Sequence, residues 1–320
     1  MERALVTGAS GFVGQWLCRE LLARDWDVTG TTFDVGASPS ALTADERTSV
    51  RWLAADLRDG RDIVRALDDA RPDAIFHLAG VSFLPAADAD PVAALDVNVV
   101  GTGRLLAELR ARKTAGVLDP MILIVGSAEQ YGRHDVSAMP LPETAEQRPL
   151  NVYAASKAAQ EIIALESFRS AGLRIVATRS FNHSGAGQAP TFLLPALARR
   201  ALDARATLVR DMPIGNSSPV RDFLHVRDVT RAYADLVERG QPGECYNVAS
   251  GVGSSVRTLA ERIIQLTGAR VDLREDPALV RAADVPVLVG DAGKLRAATG
   301  WSPRESVDTI IEDVIRAASN

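Results

Sequence analysis

The sequence predicts an α/β protein built on a doubly wound parallel sheet, followed by a smaller mixed α/β region. Two observations lead to this prediction. Short apolar segments alternate with amphipathic helical segments through roughly the first 180 residues, as they do where helices cover both faces of a parallel sheet. A glycine-rich turn also joins the first apolar segment to the first helical segment, and such turns are typical of this class of sheet.

Six strands are predicted in the first half, where short apolar runs are bounded by polar or turn residues. They cover residues 4–7, 27–32, 50–54, 74–78, 121–125 and 174–178. Apolar residues recur at helical spacing in four segments, which predicts helices over residues 12–23, 61–69, 91–112 and 153–169. Strands and helices that alternate in this way, joined by right-handed crossovers, form a Rossmann fold.

The regular alternation ends after about residue 180. Proline, glycine, asparagine and aspartate cluster at 182–190, 211–219 and 240–254, which indicates loops between shorter elements. Helices are predicted over 191–202, 256–267 and 306–318, with a short one after residue 223 and a strand over 244–248. We expect a dinucleotide-binding Rossmann domain over residues 1–180 and a substrate-binding region over 181–320, with part of the second crossing back to the first.

Composition excludes several classes of protein. The 320 residues are 47% hydrophobic and carry a net charge of −5, so net charge gives no attraction for nucleic acid or for an anionic membrane. No apolar run approaches the roughly 18–20 residues of a membrane span, and no signal-peptide pattern is present. Cys18 and Cys245 are too few for a disulfide framework or a metal cluster. We therefore expect a cytoplasmic protein with two free thiols and no bound metal.

Three glycines, Gly8, Gly11 and Gly14, follow the first strand and open the first helix. In this context the first permits a tight turn, the second lets a pyrophosphate approach the backbone, and the third lets helix and strand pack closely. The N–H groups at the start of the helix, at Phe12 and Val13, would bind the anion. The turn therefore predicts a nicotinamide dinucleotide, NAD(H) or NADP(H).

The choice between the two dinucleotides depends on the end of the second strand. An acid there would bind the adenosine ribose, whereas an arginine would accept a 2′-phosphate. Thr32 occupies the usual place of the acid and Asp34 follows, with no arginine beside it in the sequence, which slightly favours NAD. Asp56 and Leu57, after the third strand, are predicted to contact the adenine, although Asp56 could equally be a solvated acid.

A tyrosine and a lysine, Tyr153 and Lys157, are spaced one helical turn apart at the start of a predicted helix, so both project from one face. A phenol ionises near pH 10, and a nearby ammonium lowers that value. Tyr153 could then exchange a proton with a substrate oxygen while Lys157 binds the nicotinamide ribose.

Two further candidates follow the fifth strand, at the carboxyl edge of the sheet where ligands bind in this fold. Ser127 can hydrogen-bond the reacting oxygen there, and Glu129 lies two residues further on. We expect Glu129 to act as an acid or base or to bind a sugar hydroxyl, and a solvated loop acid is the alternative.

Together these motifs resemble the extended short-chain dehydrogenase/reductase family. The resemblance spans the whole chain and rests on the glycine turn, His77-Leu78-Ala79-Gly80, Asn98, Ser127 and the Tyr153/Lys157 pair. It implies cofactor contacts at Leu78, Ala79, Gly80 and Asn98, and a nucleotide-sugar substrate.

Segments of the second half are similar to the GDP-mannose branch of that family. Residues 182–188, Asn-His-Ser-Gly-Ala-Gly-Gln, resemble its Asn-His-Thr-Gly-Pro-Gly-Gln, and segments 281–291 and 299–303 match closely its GDP-6-deoxy-4-keto-mannose reductases. By this resemblance Arg221 and Arg281, expected in loops, would hold the diphosphate, Asp284 the nucleotide ribose, and Asn182 would lie near the sugar. Alanines replace the expected prolines at 186 and 282.

The resemblance implies NAD(P)H-dependent reduction of the 4-keto group of GDP-4-dehydro-6-deoxy-D-mannose, which gives GDP-D-rhamnose or its C4 epimer. A nucleotide-sugar 4,6-dehydratase or 4-epimerase with tightly bound cofactor is the alternative. A non-catalytic dinucleotide-binding protein is disfavoured because both Tyr153 and Lys157 are present. A homodimer through helices 91–112 and 153–169 is expected, although packing on the sheet explains the same apolar pattern.

Overall fold

The computed structural model describes residues 2–33, 41–207, 209–280 and 285–319. All six strands predicted in the first half are present. They are Arg3–Thr7 (β1), Asp27–Thr32 (β2), Arg51–Ala54 (β3), Ala74–His77 (β4), Met121–Ser127 (β5) and Arg174–Ser180 (β6). The strands alternate with helices as expected, which are Phe12–Ala23 (α1), Ala44–Ser49 (α2), Gly60–Ala70 (α3), Leu84–Ala89 (α4), Pro91–Leu95 (α5), Thr102–Thr114 (α6) and Val152–Ala171 (α7).

The predicted helix over 91–112 is helical throughout but is not a single α-helix. A π-helical segment, Asp96–Gly101, separates α5 from α6. The short helices α2 and α4 were not predicted from the sequence. Helix α2 has six residues and is stabilised by a capping box between Thr43 and Glu46, a local signal that apolar periodicity does not detect.

The second half contains further short strands and helices. Its strands are Asn182–Ser184 (β7), Asp211–Ile214 (β8), Val220–His225 (β9), Cys245–Val248 (β10), Gly253–Ser255 (β11), Asp272–Glu275 (β12) and Val287–Leu288 (β13). Its helices are Leu193–Thr207 (α8), Val226–Arg239 (α9), Val256–Thr267 (α10), Gly293–Thr299 (α11) and Val307–Ser319 (α12). The short helix expected after residue 223 is α9, which has 14 residues.

Among the described residues, seven strands form one parallel sheet in the order β10-β6-β5-β4-β1-β2-β3. The chain moves outward from β1 to β3 in one direction and then from β4 to β6 in the other. The order therefore reverses between β1 and β4, and the crevice at the carboxyl ends of these strands is the ligand-binding place of a doubly wound sheet. The predicted fold class is confirmed.

Alternate residues of the strands are buried on opposite faces of this sheet. On one face, Val6 of β1 and Phe76 of β4 pack with α1 and α9. On the other, Leu5 and Ile75 pack with α3, α6 and α7. Both faces are covered by helices, which is why the strands are continuous apolar runs in the sequence.

The second half folds around its own apolar cluster, in which α8, α10 and α12 pack together. Its small sheet has the order β11-β9-β13, and β7 pairs with β9. Trp301, from the segment 299–303 that contributed to the resemblance, is buried and donates its indole N–H to the Asp228 carbonyl oxygen of α9 at 3.0 Å. That segment is thereby fixed to α9.

Neither thiol of the described chain is paired, since Cys18 and Cys245 are both buried and free. Across the described ranges, every helix is too short or too polar to cross a membrane.

Candidate active site

The glycine turn between β1 and α1 gives each of its glycines a different task. Gly8 has φ of +71°, and a Cβ there would lie 2.9 Å from the backbone of Ala79. A Cβ at Gly14 would lie 2.3 Å from the Gly8 carbonyl oxygen, so helix and strand could not pack as they do. A Cβ at Gly11 would meet only that oxygen, at 3.2 Å, among the described residues. The backbone beside Gly11 is therefore open to a ligand.

The start of α1 supplies hydrogen-bond donors to this opening. The helix begins at Phe12, and no side-chain cap is present at Gly11. The first N–H groups, including those of Phe12 and Val13, have no carbonyl partner within the helix and favour an anion. The Phe12 ring stacks on His183, with ring centroids 6.5 Å apart, so the second half of the chain borders the same turn. These residues fit the pyrophosphate of a dinucleotide.

Hydroxyl and ion-paired groups lie at the ends of β2 and β3, where the adenosine half of a dinucleotide would lie. Thr32 Oγ1 is 2.8 Å from Ser10 Oγ in the glycine turn. The Asp56 carboxylate accepts from the Arg58 guanidinium, Nε at 3.0 Å and Nη2 at 2.8 Å. This pairing holds the pKa of Asp56 below its usual range. The carboxylate is ion-paired and remains 29% exposed, and its contact with the adenine stays a prediction.

Sequence reasoning found no arginine beside the second strand, but the fold brings one there. The Arg58 guanidinium lies 5.5 Å from the centroid of the Phe33 ring, directly after β2. It was missed because it comes from the loop after β3. Leu57 is buried against Gly101 of the π-helical segment. A Cβ added at Gly101 would lie 2.9 Å from the Cβ of Leu57. Asp34 lies outside the described residues.

Tyr153 is brought to Ser127 by the start of α7. The helix begins directly after Asn151, whose side chain accepts the N–H of Ala154 at 2.8 Å, so Tyr153 lies in the first turn. The phenol is hydrogen-bonded to the Ser127 side chain, and the half-buried Glu129 carboxylate acts on it electrostatically. Three of the predicted catalytic residues thus converge at the carboxyl end of β5.

The phenol of Tyr153 has a raised pKa, in contrast to the lowering expected from Lys157. Burial raises the pKa of Tyr153 to about 12, the hydrogen bond with Ser127 opposes this rise, and the negative charge of Glu129 adds to it. Desolvation dominates because the phenolate would lose its hydration inside the protein.

The ammonium of Lys157 is directed into the protein. Its Nζ donates to the Val125 carbonyl oxygen at 2.8 Å and to Gln160 Oε1 at 2.9 Å. Burial lowers the pKa of Lys157 to about 8. Sequence reasoning missed Gln160, although its spacing of three residues from Lys157 places both on one face of α7.

Ser127 is held by a buried network that sequence reasoning also missed. Its N–H donates to Gln130 Oε1 at 2.7 Å, and its hydroxyl caps the short 3-10 helix Ala128–Tyr131. The Gln130 amide donates to Glu161 of α7 at 2.8 Å. Glu161 in turn binds Arg179 of β6 through two hydrogen bonds of 2.9 and 2.7 Å. Ser127 is therefore fixed to the helix that carries Tyr153.

The loop after β4 contains the predicted contacts Leu78, Ala79 and Gly80. Leu78 and Ala79 pack against the two opposite faces of the sheet. A Cβ at Gly80 would lie 2.6 Å from Asn98 Oδ1 and 3.7 Å from Lys157 Nζ. The structure thus brings this loop, the π-helical segment and the lysine together.

Asn98 binds protein groups on both sides of this loop. Its Oδ1 accepts the N–H of Val81 at 2.8 Å, and its Nδ2 donates to Ser156 Oγ of α7 at 2.9 Å. It lies in the π-helical segment, and such segments are frequent at functional sites. Asn98 therefore connects the loop after β4 to α7.

Two predicted substrate residues lie on the small sheet beside this edge. Ser127 pairs with Ser180 at the end of β6, and Asn182 of β7 follows two residues later. Asn182 pairs with Phe223 of β9, and Arg221 precedes Phe223 by two residues on the same strand. The carboxyl edge of the large sheet therefore continues into the strands that carry Asn182 and Arg221.

The expectation that Arg221 lies in a loop is wrong. The residue belongs to β9, is 9% exposed, and donates through Nη1 to the Val220 carbonyl oxygen at 3.0 Å. The run Val220–His225 forms a central strand because β11, β13 and β7 all pair with it, which the surrounding turn residues obscured in the sequence. Arg281 and Asp284 lie outside the described residues.

Comparison with known proteins identifies the family. The family model described as GDP-mannose 4,6 dehydratase matches residues 5–314. The chain belongs to the GDP-mannose 4,6-dehydratase family. The resemblance inferred from the motifs is thereby confirmed, as is the prediction of an NAD(P)-dependent nucleotide-sugar enzyme.

Two relatives and one solved structure match this chain over nearly the full length of both proteins. GDP-6-deoxy-D-mannose reductase from Pseudomonas aeruginosa is 32% identical over 317 residues, which are 98% of this chain and 97% of that protein. GDP-6-deoxy-D-talose 4-dehydrogenase from Aggregatibacter actinomycetemcomitans is 28% identical over 318 residues, 98% and 97% of the two chains. The structure of RMD from Pseudomonas aeruginosa complexed with NADPH superposes with a TM-score of 0.83 and 30% identity, covering 99% of each chain.

Proposed function

We propose that this enzyme reduces the 4-keto group of GDP-4-dehydro-6-deoxy-D-mannose with NADH or NADPH, and forms GDP-D-rhamnose or its C4 epimer. The hydrogen-bonded hydroxyl groups of Ser127 and Tyr153 carry this proposal. They lie at the same sheet edge as the open glycine turn, so a carbonyl oxygen between them would be next to a bound dinucleotide. The 32% identity to a GDP-6-deoxy-D-mannose reductase over 317 residues supports the choice of substrate.

The bound dinucleotide would supply the hydride that reduces C4. Tyr153 gives its proton to the oxygen that becomes the alcohol, since its pKa of about 12 keeps the phenol protonated at neutral pH. Ser127 donates a hydrogen bond to the same oxygen and stabilises the charge that develops on it. Glu129 binds a sugar hydroxyl beside them.

The remaining residues hold the two ligands. Lys157 binds the nicotinamide ribose beside Gly80 and Asn98, and the glycine turn holds the pyrophosphate. Thr32 and Asp56 border the adenosine half. Arg221 and Asn182 bind the diphosphate and the sugar, because a guanidinium matches phosphate oxygens in shape and charge. Arg281 and Asp284 complete this substrate set in the proposal.

Reduced-cofactor consumption tests the proposed reaction directly. Purified protein is mixed with GDP-4-dehydro-6-deoxy-D-mannose and either NADH or NADPH, and the absorbance of the reduced cofactor is followed. We expect consumption, with GDP raising the melting temperature more than UDP or dTDP. Tyr153→Phe should lower kcat by roughly 10²- to 10⁴-fold, the usual size of a lost general acid, without a change in melting temperature. If neither cofactor is consumed by the wild-type protein, the proposed reaction is wrong.

One observation favours a second candidate, a 4,6-dehydratase. The Glu129 carboxylate lies close enough to Tyr153 to raise its pKa, and a carboxylate beside the sugar could remove a proton next to a carbonyl. Incubation with GDP-mannose and no added reductant distinguishes the two reactions. Formation of the 4-keto-6-deoxy sugar, abolished by Glu129→Gln, would replace the reductase by the dehydratase.

We also infer a homodimer through α5, α6 and α7. Four apolar side chains on or between these helices are exposed, namely Val92 (76%), Leu95 (41%), Val100 (46%) and Ile162 (60%). Helices pack in pairs through such surfaces, and a second copy of the chain would cover them.

A further inference from the structure

A line of buried polar side chains runs from Lys157 in α7 to Thr7 at the end of β1. The Lys157 ammonium donates to Gln160 Oε1 at 2.9 Å, and the Gln160 amide donates to Thr102 Oγ1 at 2.8 Å. His77 lies between two hydroxyls, with Nε2 2.9 Å from Thr102 Oγ1 and Nδ1 2.9 Å from Thr7 Oγ1. The three middle residues are 0% exposed. The line crosses four elements of the Rossmann sheet and its helices.

The directions of these hydrogen bonds follow from the donors available. An ammonium only donates, so Gln160 turns its carbonyl oxygen to Lys157 and its NH2 group to Thr102. The single hydroxyl hydrogen of Thr102 goes to the Asn98 carbonyl oxygen at 2.7 Å. Thr102 Oγ1 must therefore accept from both Gln160 and His77. It follows that the proton of the neutral His77 ring is on Nε2.

Thr7 completes the pattern on the far side of His77. In this tautomer Nδ1 is an acceptor, so the Thr7 hydroxyl donates to it, while Thr7 Oγ1 accepts the N–H of Ala79 at 3.1 Å. Burial and the charge of Lys157 lower the pKa of His77 to about 3, so the ring is neutral at physiological pH.

Reversing Gln160 would turn its NH2 group towards the Lys157 ammonium. Reversing His77 would set its unprotonated Nε2 against a Thr102 oxygen whose hydrogen is directed at Asn98. With the ring proton on Nε2, every donor along the line meets an acceptor.

We propose that Gln160, Thr102 and His77 are positioning residues that hold the Lys157 ammonium in one rotamer, anchored at Thr7 directly before the glycine turn. This inference rests on the role proposed for Lys157 in cofactor binding. The line thereby fixes β1, which leads into the pyrophosphate site, relative to α7, which carries the lysine.

The line orients the lysine and does not conduct protons. Two of the three ammonium hydrogens are directed to Val125 and Gln160. The tetrahedral geometry of the ammonium therefore fixes the direction of the third hydrogen, which can bind a ligand. The Gln160 amide has no proton to pass on at ordinary pH. The titratable groups that face this region are His77 on β4, Tyr153 on α7 itself and Glu129 beyond Tyr153.

The lysine titration can be observed without cofactor or substrate. The sequence contains three lysines, Lys113, Lys157 and Lys294, so ¹³C-labelled lysine gives three side-chain signals, assigned with Lys113→Arg and Lys294→Arg. In Gln160→Glu a carboxylate faces the ammonium, and we expect the Lys157 titration midpoint to move to higher pH. Gln265→Glu, an exposed position on α10, adds the same charge and should leave the midpoint unchanged. An unchanged midpoint in Gln160→Glu would overturn the proposal.

The role of Thr102 is tested by a pair of variants with and without its hydroxyl. Thr102→Val removes the acceptor of Gln160 and His77, and we expect NADPH or NADH, whichever the wild type prefers, to bind roughly tenfold more weakly. Thr102→Ser keeps the hydroxyl and should restore wild-type binding. Equal affinity of two folded variants would reject the proposal; if Thr102→Val does not fold, the Gln160→Glu titration decides. A wild-type protein that binds cofactor but reduces no 4-keto sugar would reject the proposed function alone.

Discussion

Burial moves the pKa values of Tyr153 and Lys157 in opposite directions. Burial destabilises the charged form of each group. The pKa of the Tyr153 phenol therefore rises to about 12, and the pKa of the Lys157 ammonium falls to about 8. At neutral pH the tyrosine is therefore a proton donor and the lysine remains mostly charged. This combination of states suits reduction of a carbonyl, because reduction requires a proton and oxidation would require a phenolate.

Cofactor affinity should depend on pH through Lys157. The charged form can bind the ribose hydroxyls most strongly, and it is lost as pH rises through its pKa of about 8. We expect the Kd for the reduced cofactor to be constant up to about pH 7 and to increase as pH rises through about 8, measured by fluorescence titration. Lys157→Met should bind weakly with no such increase. A wild-type Kd that is flat through pH 10 would contradict this account.

Breaking the ion pair of Glu161 and Arg179 should strongly destabilise the folded protein. Their side chains are 5% and 7% exposed, and removing one partner leaves a buried charge, which costs roughly 3–5 kcal/mol. We expect Glu161→Gln to lower the free energy of unfolding by about this amount in urea. Glu166→Gln is the control, because its pair with Arg110 is 52% and 42% exposed and is worth about 0–1 kcal/mol. If both variants lower the free energy of unfolding equally, burial of the Glu161–Arg179 pair does not make its loss more destabilising.

At the scale of single elements, the strands were predictable and the helical interruption was not. Strands β1 and β5 are buried on both faces, so their apolar runs reveal them directly. The π-helical segment Asp96–Gly101 contains Asn98, whose partners lie in the loop after β4 and in α7. Helical periodicity carries no information about such tertiary contacts.

The candidate site also contains residues that could be predicted from the sequence and residues that could not. Ser127 and Tyr153 could be predicted because a strand end and a helix start fix their positions. The spacing of Ser127 and Gln130 is that of a capping box, so this contact could have been predicted from the sequence, whereas the hydrogen bond from Gln130 to Glu161 could not.

Thr102 could not be predicted, because Gln160 and His77 are distant in sequence and become its neighbours only when the sheet and its helices pack. Arg58 reaches β2 from the next loop for the same reason.

The glycine turn gives a test that separates folding from binding. Gly14→Ala would place a Cβ 2.3 Å from the Gly8 carbonyl oxygen, so we expect a lower melting temperature without cofactor. Gly11→Ala makes one tight contact, 3.2 Å from its Cβ to the Gly8 carbonyl oxygen, which is far milder than the contact at Gly14. It should melt close to the wild type, but with strongly weakened cofactor binding. Gly60→Ala, with nothing within 4 Å of the added Cβ, controls for the substitution itself. Thermal melts and cofactor titrations of the three variants measure both effects, and an unstable Gly11→Ala protein would refute the assignment.

At the scale of the whole molecule, the two halves of the chain share the apolar cluster on one face of the large sheet. Helix α9 packs beside α1 on one face of the large sheet, and its Tyr233 and Leu236 are fully buried there. Strand β10 pairs with β6 at the edge of the same sheet. The second half therefore completes the first as well as binding substrate in the proposal.

The proposed dimer can be tested at its most accessible position on α7. Ile162 is 60% exposed, and Ile162→Lys would place a charge in an apolar helix interface. We expect the wild type to sediment as a dimer and Ile162→Lys as a monomer in analytical ultracentrifugation. Val209→Lys, at a 50% exposed position in the second half, should remain dimeric. A wild-type monomer would exclude this interface.

The pairing of β10 with β6 has a consequence for biosynthesis. The edge of β6 stays open until residue 248 has left the ribosome, because the strand that covers it is Cys245–Val248. An open strand edge is a template for pairing with other chains. While residues 181–248 are being synthesised, the nascent protein therefore carries an aggregation-prone edge at β6, and a fragment ending at residue 180 would keep that edge permanently.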